Sequence, residues 1–219
     1  MKGRRVIRIL VADDHDVVRQ GLTSLLGRRP DWQVCAEASN GREAVKLTER
    51  FRPNVAILDL SMPELNGLEA TRQIRKVSPE TEILVFSMYE NEQFVRELLS
   101  AGARGYVLKS DVATQLVLAV ETVARHKPFF TSEIAEKVLV GFLKFGEVET
   151  QDTSSVLTAR EREIVQLLAE SKSNKEISTL LGISVKTVQT HRATIMRKLG
   201  INSIVDLVHY AIRNNLVAP

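Results

Sequence analysis

The chain has 219 residues, 44% of them hydrophobic and 26% charged, with a formal net charge of +3. That is ordinary composition for a folded chain, long enough to bury a core in one large or two small domains. The basic start Met1-Lys2-Gly3-Arg4-Arg5 leads into a run broken by Arg8 and ended by Asp13-Asp14, and no stretch approaches the roughly 20 apolar residues of a membrane span, so neither a signal peptide nor a membrane anchor is expected.

Charge is unevenly placed. From Val156 onward there are nine Lys/Arg against five Asp/Glu, while from Pro128 to Ser155 there are two against five. A basic end after an acidic connector suits a nucleic-acid partner there. The one cysteine, Cys35, lies in the apolar run Val34-Cys35-Ala36 and is expected to be buried. With no intrachain partner for a disulfide, it fits a reducing cytoplasm.

The first half alternates strand-like and helix-like segments. Strands are expected at residues 6–12, 32–38, 54–60, 83–87 and 106–108. Helices are expected at 16–28, 42–51, 68–76, 92–100 and 112–125. Asn40-Gly41 supplies a turn, Ser78-Pro79 stops one helix, and Gly102 offers a left-handed cap to another. Val55-Ala56-Ile57-Leu58 is a continuous apolar run, the pattern of a strand covered on both faces. Five βα units imply an α/β fold, with a doubly wound parallel sheet of order 2-1-3-4-5.

Pro128 closes this domain, and residues 128–155 read as a part-helical linker. Glu133 to Lys144 shows helical spacing, and Gly146 to Ser155 is acidic and polar. From Leu157 the pattern is wholly helical. Thr158-Ala159-Arg160-Glu161 and Ser173-Asn174-Lys175-Glu176 are capping boxes. Ser184 caps a third helix that runs to Leu199 and stops at Gly200, and a fourth runs from Ser203 to about Asn214. A short helix, a glycine turn and a longer polar helix make a helix-turn-helix plan.

The polar groups of the first half collect at strand ends. Asp13 and Asp14 end the first strand, Asp59 the third, Ser87 the fourth and Lys109 the fifth. In a doubly wound sheet the first and third strands are neighbours, and ligands bind in the crevice beyond their carboxyl ends. Crowded carboxylates call for a cation, and hard oxygen donors suit Mg²⁺. Lys109 and the Ser87 hydroxyl are suited to hold phosphoryl oxygens. A carboxylate can accept a phosphoryl group as an aspartyl phosphate.

Asp13-Asp14, Asp59 followed by Met62-Pro63 and Gly67, then Ser87, Tyr106 and Lys109 resemble the receiver domain of bacterial two-component response regulators. The resemblance covers residues 5 to about 127 and implies a flavodoxin-like (βα)5 receiver. It implies Asp59 as phosphoacceptor, Asp13, Asp14 and Asp59 as Mg²⁺ ligands, and Ser87, Tyr106 and Lys109 as readers of the phosphoryl state. Receivers often carry a cis proline after this lysine. Here the residue is Ser110, and a cis bond is not expected, since without proline it costs about 2.5–4 kcal/mol. Ser61 and Tyr89 flank the site and are candidates for tuning the phosphoryl lifetime.

In the second half, the run from Leu157 to Glu163, Asn174-Lys175-Glu176-Ile177, Val185 to His191 and Arg197-Lys198-Leu199-Gly200 resemble the LuxR-type four-helix DNA-binding domain. Receiver plus this domain resembles the NarL/FixJ response regulators. The resemblance implies a recognition helix after Ser184. Gln189, Thr190 and Ala193 are expected to face bases, and Lys186, Thr187, Arg192 and Lys198 to hold phosphates. His191 fits either a backbone contact or helix packing. Val188, Ile195, Met196 and Leu199 are its expected core face. In the fourth helix, Val205, Val208 and Ile212 are candidates for pairing with a second copy.

The expected domains are therefore a receiver at 1–127, a linker at 128–155 and a helix-turn-helix domain at 156–219. The reading is a cytoplasmic transcription regulator, not an enzyme. A histidine kinase phosphorylates it on Asp59 with Mg²⁺, promoting dimerisation and binding to promoter DNA, with RNA polymerase a further candidate partner. One rival is a DNA-binding regulator that works without phosphorylation. Another is a Mg²⁺-dependent phosphatase, but Ser61 stands where such enzymes place a second Asp.

Overall fold

In the computed structural model, residues 6–88, 92–132, 134–135 and 156–217 are described. They form two compact units, one α/β and one helical.

The α/β unit is built on parallel strands β1 (Ile7–Ala12), β2 (Trp32–Ala38), β3 (Val55–Leu58), β4 (Glu82–Ser87), β5 (Gly105–Leu108) and β6 (Phe129–Phe130), in sheet order β2-β1-β3-β4-β5-β6. The expected order of the first five strands holds. Between them run α1 (Asp16–Gly27), α2 (Gly41–Phe51), α3 (Gly67–Val77), α4 (Glu92–Ala101) and α5 (Val112–Val123).

Strand alternation fills both layers. Ile9, Val11, Val55, Ile57, Leu84, Phe86 and Val107 pack with Leu22 and Leu26 of α1 and Leu116, Ala119, Val120 and Val123 of α5. The intervening residues Leu10, Ala56, Leu58, Ile83, Val85, Tyr106 and Leu108 are equally buried. Successive side chains of a strand point to opposite faces, so a sheet covered on both sides needs uninterrupted apolar runs. Asn40 and Asn66 cap α2 and α3 by accepting from the Glu43 and Glu69 amides.

Four strands differ from expectation in length; β1 begins one residue late, at Ile7, and β4 one residue early, at Glu82. β3 stops at Leu58, leaving Asp59 and Leu60 beyond its end, although the Asp59 amide still donates to the Ala12 carbonyl. β5 begins one residue early, at Gly105. An added Cβ at Gly105 would lie 2.8 Å from Leu84 Cδ1 and 3.0 Å from the Phe129 carbonyl. Packing, not strand propensity, selects glycine there.

The expected linker does not begin free of this unit. Phe129 and Phe130 pair in parallel with Gly105 and Tyr106, giving the sheet a sixth strand. A two-residue strand is too short to show alternation in sequence. Of the expected helix from Glu133 to Lys144, only Ile134 and Ala135 lie within the described residues. Cys35 is half-buried rather than fully buried, and its thiol donates weakly to the Ile9 carbonyl at 3.4 Å. Among the described residues no peptide bond is cis, Lys109–Ser110 included. No described helix is long and apolar enough to cross a membrane.

The helical unit comprises α6 (Ala159–Ala169), α7 (Asn174–Leu181), α8 (Val185–Leu199) and α9 (Ile204–Arg213). Both expected capping boxes form, at Thr158/Glu161 and Ser173/Glu176. Gly182 and Gly200 end α7 and α8 at φ 61° and 64°, a left-handed conformation that glycine adopts without steric cost. The core joins Ile164, Val165, Leu167 and Leu168 of α6 to Ile177, Val188, Ile195, Leu207 and Ala211.

Candidate phosphoacceptor site and nucleic-acid interface

The register brings the acidic residues together. Ala12 of β1 lies beside Leu58 of β3, so Asp13 and Asp59 follow side by side. The Asp59 amide donates to the Ala12 carbonyl at 2.8 Å, locking the two strand ends. Asp13 and Asp59 are buried, at 0% and 3% exposure, whereas Asp14 is exposed.

Lys109 follows β5 in a 3-10 turn, Lys109–Asp111. Its Nζ lies 2.7 Å from Asp13 Oδ2 and 3.0 Å from Asp59 Oδ2, and 5.6 Å from the centre of the Phe86 ring. The other Asp59 oxygen accepts the Leu60 amide at 2.8 Å. Burial pushes the Asp59 carboxyl above its ordinary range; Lys109 pulls it down and Asp13 pushes it further up. Burial works against the charge on Lys109, but its bonds to Asp13 and Asp59 outweigh that and raise its pKa. The site is thus a carboxylate pair held together by one cation.

Ser87 and Tyr106 are both buried, at 0% and 2% exposure. Ser87 is the last residue of β4, beside Leu108, and Tyr106 lies beside Val85. Four strand ends therefore deliver the expected residues to one edge of the sheet. Tyr89 lies outside the described residues.

Sequence reasoning missed two neighbours. His15 Nδ1 lies 2.8 Å from Asp14 Oδ1 and 3.3 Å from Asp13 Oδ1, and its amide donates to Asp13 Oδ1 at 2.9 Å. Arg19 donates to the Asp13 carbonyl at 2.7 Å and to Asp16. Both follow Asp13-Asp14 closely in the chain, but no spacing rule marks either as part of a site. Ligand atoms of Asp13, Asp14, His15 and Asp59 all lie within 4.8 Å of one another, a cluster able to hold a cation. Three carboxylates make it an oxygen-rich donor set, which fits a hard divalent ion.

Close approach of the backbone is part of the site. The Gly67 amide donates to the Leu60 carbonyl at 2.9 Å. A Cβ on Gly67 would lie 2.2 Å from the Asp59 carbonyl oxygen.

In the helical unit, α8 carries Lys186, Arg192, Arg197 and Lys198 and no acidic residue. Val188 and Ile195 are buried, and Met196 and Leu199 pack partly against the core, as expected. Lys186, Gln189, Thr190 and Ala193 are exposed; Thr187, His191 and Arg192 are half-buried. The Thr190 hydroxyl donates to the Lys186 carbonyl at 3.0 Å. The Thr187 hydroxyl is bonded to Ser184 Oγ at 2.8 Å within the helix cap.

Lys198, expected on a phosphate, is ion-paired at 2.7 Å with Glu161. Glu161 is buried and also accepts the Thr158 amide at 2.7 Å. Burial pushes its carboxyl up, but Lys198 and Thr158 outweigh that and hold it below the usual carboxylate range. On α9, Val205 is 57% exposed, with Val208 and Ile212 half-buried on the same stripe.

Comparison with known proteins agrees with this division. The family model described as "Response regulator receiver domain" matches residues 9–121. The model described as "Bacterial regulatory proteins, luxR family" matches residues 155–211. The chain is 38% identical over 215 residues to the oxygen regulatory protein NreC of Staphylococcus aureus (strain MRSA252), covering 96% of this chain and 99% of that protein. It is also 38% identical over 216 residues to NreC of Staphylococcus epidermidis (strain ATCC 12228 / FDA PCI 1200), with the same coverage.

Among solved structures, a LuxR-family two-component response regulator from Aurantimonas sp. SI85-9A1 aligns with a TM-score of 0.60 at 36% identity, over 63% of this chain and 99% of that one. The response regulator ChrA of a heme-sensing two-component system aligns with a TM-score of 0.52 at 30% identity, over 97% of this chain and all of that one. The family is one of transcription regulators, not enzymes. With a receiver's acidic edge in one unit and a LuxR-type helix-turn-helix in the other, the chain belongs to the NarL/FixJ family of two-component response regulators.

Proposed function

We propose that Asp59 accepts a phosphoryl group from a histidine kinase and that this modification controls DNA binding by the helical unit. The observation that carries the reading is the Lys109 bridge between Asp59 and Asp13 at the strand ends. Asp59 supplies the nucleophilic oxygen. Lys109 is placed to follow the new phosphoryl oxygens, and Ser87 ends the neighbouring strand to bind another. Tyr106 lies behind as the second reader of the modified state. Asp13, Asp14 and Asp59 would hold Mg²⁺, which when bound neutralises charge on the transferred group. Phosphoryl transfer asks little of the protein beyond positioning and charge balance, and this edge offers both.

On α8, Gln189, Thr190 and Ala193 are the base-facing residues. The Thr190 hydroxyl is spent on its own helix, so its methyl group is what it offers to a base, and thymine is the base that methyl contact suits. Lys186, Thr187 and Arg192 hold phosphates, while Lys198 serves the Glu161 cap. Val205, Val208 and Ile212 pair two copies across paired half-sites.

A phosphate-affinity gel of the protein with acetyl phosphate and Mg²⁺, beside Asp59→Ala, tests the acceptor. A Mg²⁺-dependent shift that the variant lacks is expected. DNA binding with no modification of the wild type would favour the phosphorylation-independent reading instead. For the interface, Lys186→Ala is expected to weaken binding to any duplex and to lower the salt slope of log K by about 1. Fluorescence anisotropy on a mixed-sequence duplex across a salt series reads this. An unchanged slope would remove Lys186 from the phosphate contacts.

A further inference from the structure

The exposed side chains of α8 are not scattered around the helix. At about 100° of rotation per residue, Lys186, Gln189, Thr190, Ala193 and Arg197 fall in one stripe about 100° wide. All five are exposed. Arg197 lies about 20° from Lys186 around the helix and about 16 Å further along it. Each end of the stripe therefore carries a cation, and the three residues between are uncharged. Lys198, one position on, is turned away from the stripe toward α6, where it pairs with Glu161 at 2.7 Å. Among the described residues the Arg197 side chain has no hydrogen bond or ion pair. Its backbone is held, because its carbonyl accepts the Gly200 amide at 3.3 Å in the left-handed cap. A cation in the last turn also complements the helix dipole, but that role does not require a place on the stripe.

We propose that Arg197, and not Lys198, is the phosphate contact at the C-terminal end of α8, and that with Lys186 it clamps the two walls of the major groove. This rests on the reading of α8 as the recognition helix. The major groove is about 12 Å wide. Two long cationic side chains set about 16 Å apart on one stripe reach the phosphates on its borders, while Gln189, Thr190 and Ala193 face the bases between. Such contacts fix the register and orientation of the helix and carry no sequence information directly. The planar guanidinium matches phosphate oxygens two at a time.

The test is fluorescence anisotropy of the full chain, untreated and treated with acetyl phosphate and Mg²⁺, on two mixed-sequence duplexes of different base composition across a salt series. Arg197→Ala is expected to weaken binding to both duplexes alike and to lower the salt slope of log K by about 1. Arg197→Lys is expected to keep the slope, since a point charge still neutralises a phosphate. Lys186→Ala combined with Arg197→Ala should lose about 2, one for each wall. Lys198→Ala should keep the slope and melt lower, because buried Glu161 loses its partner. An Arg197→Ala slope equal to that of the wild type overturns the clamp and leaves Arg197 to the helix dipole. Loss on one duplex only, not restored by Arg197→Lys, overturns it as well and makes Arg197 a base reader. A wild type with no salt-dependent binding to either duplex in either condition overturns the recognition helix and the clamp together.

Discussion

Lys109→Met is expected to lower the unfolding free energy of the receiver unit by about 3 kcal/mol at neutral pH. The substitution keeps the length of the side chain but leaves two buried carboxylates facing each other with no cation. Lys109 sits 2.7 Å from Asp13 and 3.0 Å from Asp59, and its side chain is 12% exposed against 0% and 5% for the two acids. Solvent screening therefore does little to soften the loss.

The sign with pH follows from Asp59. Its pKa is already raised above 3.8, chiefly by burial. The folded state thus binds this proton more tightly than the unfolded chain does. The protonated carboxyl favours folding fully below the unfolded value, and that advantage is lost as pH rises through the raised folded value. Removing Lys109 raises the folded value further. The variant's deficit should accordingly shrink in mildly acidic solution and be largest at neutral pH. Urea denaturation of both proteins from about pH 5 to about pH 8 reads the difference. A deficit that grows on acidification would contradict the bridge. Mg²⁺ is expected to recover part of the loss, because ligand that binds the folded site stabilises it by mass action.

Gly67→Ala should be at least as damaging, for a steric reason. The new Cβ would stand 2.2 Å from the Asp59 carbonyl oxygen and 2.9 Å from Leu60 Cα. Both are backbone atoms, so no rotamer change relieves the clash. Overpacking of this kind costs about 3 kcal/mol, and relief requires the Asp59 backbone to move. Misplacing a reacting group by about 1 Å can cost a hundredfold in rate. The expected result is a lower melting temperature together with phosphorylation by acetyl phosphate slowed about a hundredfold. A variant that melts lower yet is phosphorylated at the wild-type rate would show that Gly67 supports the fold and not the position of Asp59.

The two variants perturb one site in different ways. Lys109→Met removes charge balance and leaves the backbone in place. Gly67→Ala keeps every charged group and displaces one of them. Mg²⁺ should therefore rescue stability in the first far better than in the second.

Most of the α/β unit was legible in the chain. Continuous apolar runs such as Val55 to Leu58 can be buried on both faces only in a covered sheet. The capping signals at Thr158, Ser173 and Ser184 act within one turn, so local chemistry sufficed to place those helix starts. Asp13, Asp14, Asp59, Ser87 and Lys109 were found because a parallel sheet sends all its strand ends to one edge, whatever lies between them.

What only the tertiary structure decided depends on contacts between distant segments. Glu161 and Lys198 lie far apart in sequence, and nothing in either helix indicates that the lysine is spent on a buried carboxylate 2.7 Å away. His15 and Arg19 are the exception: they lie close to Asp13 in the chain and join the acidic edge through the path of the turn after β1. Two residues are too short a run to show a strand's alternation; Phe129 and Phe130 become β6 because Gly105 leaves room for their backbone. Periodicity, capping and strand-end chemistry are local and can be read along the chain. Register, close backbone approach and the choice of ion-pair partner are settled only when the segments meet.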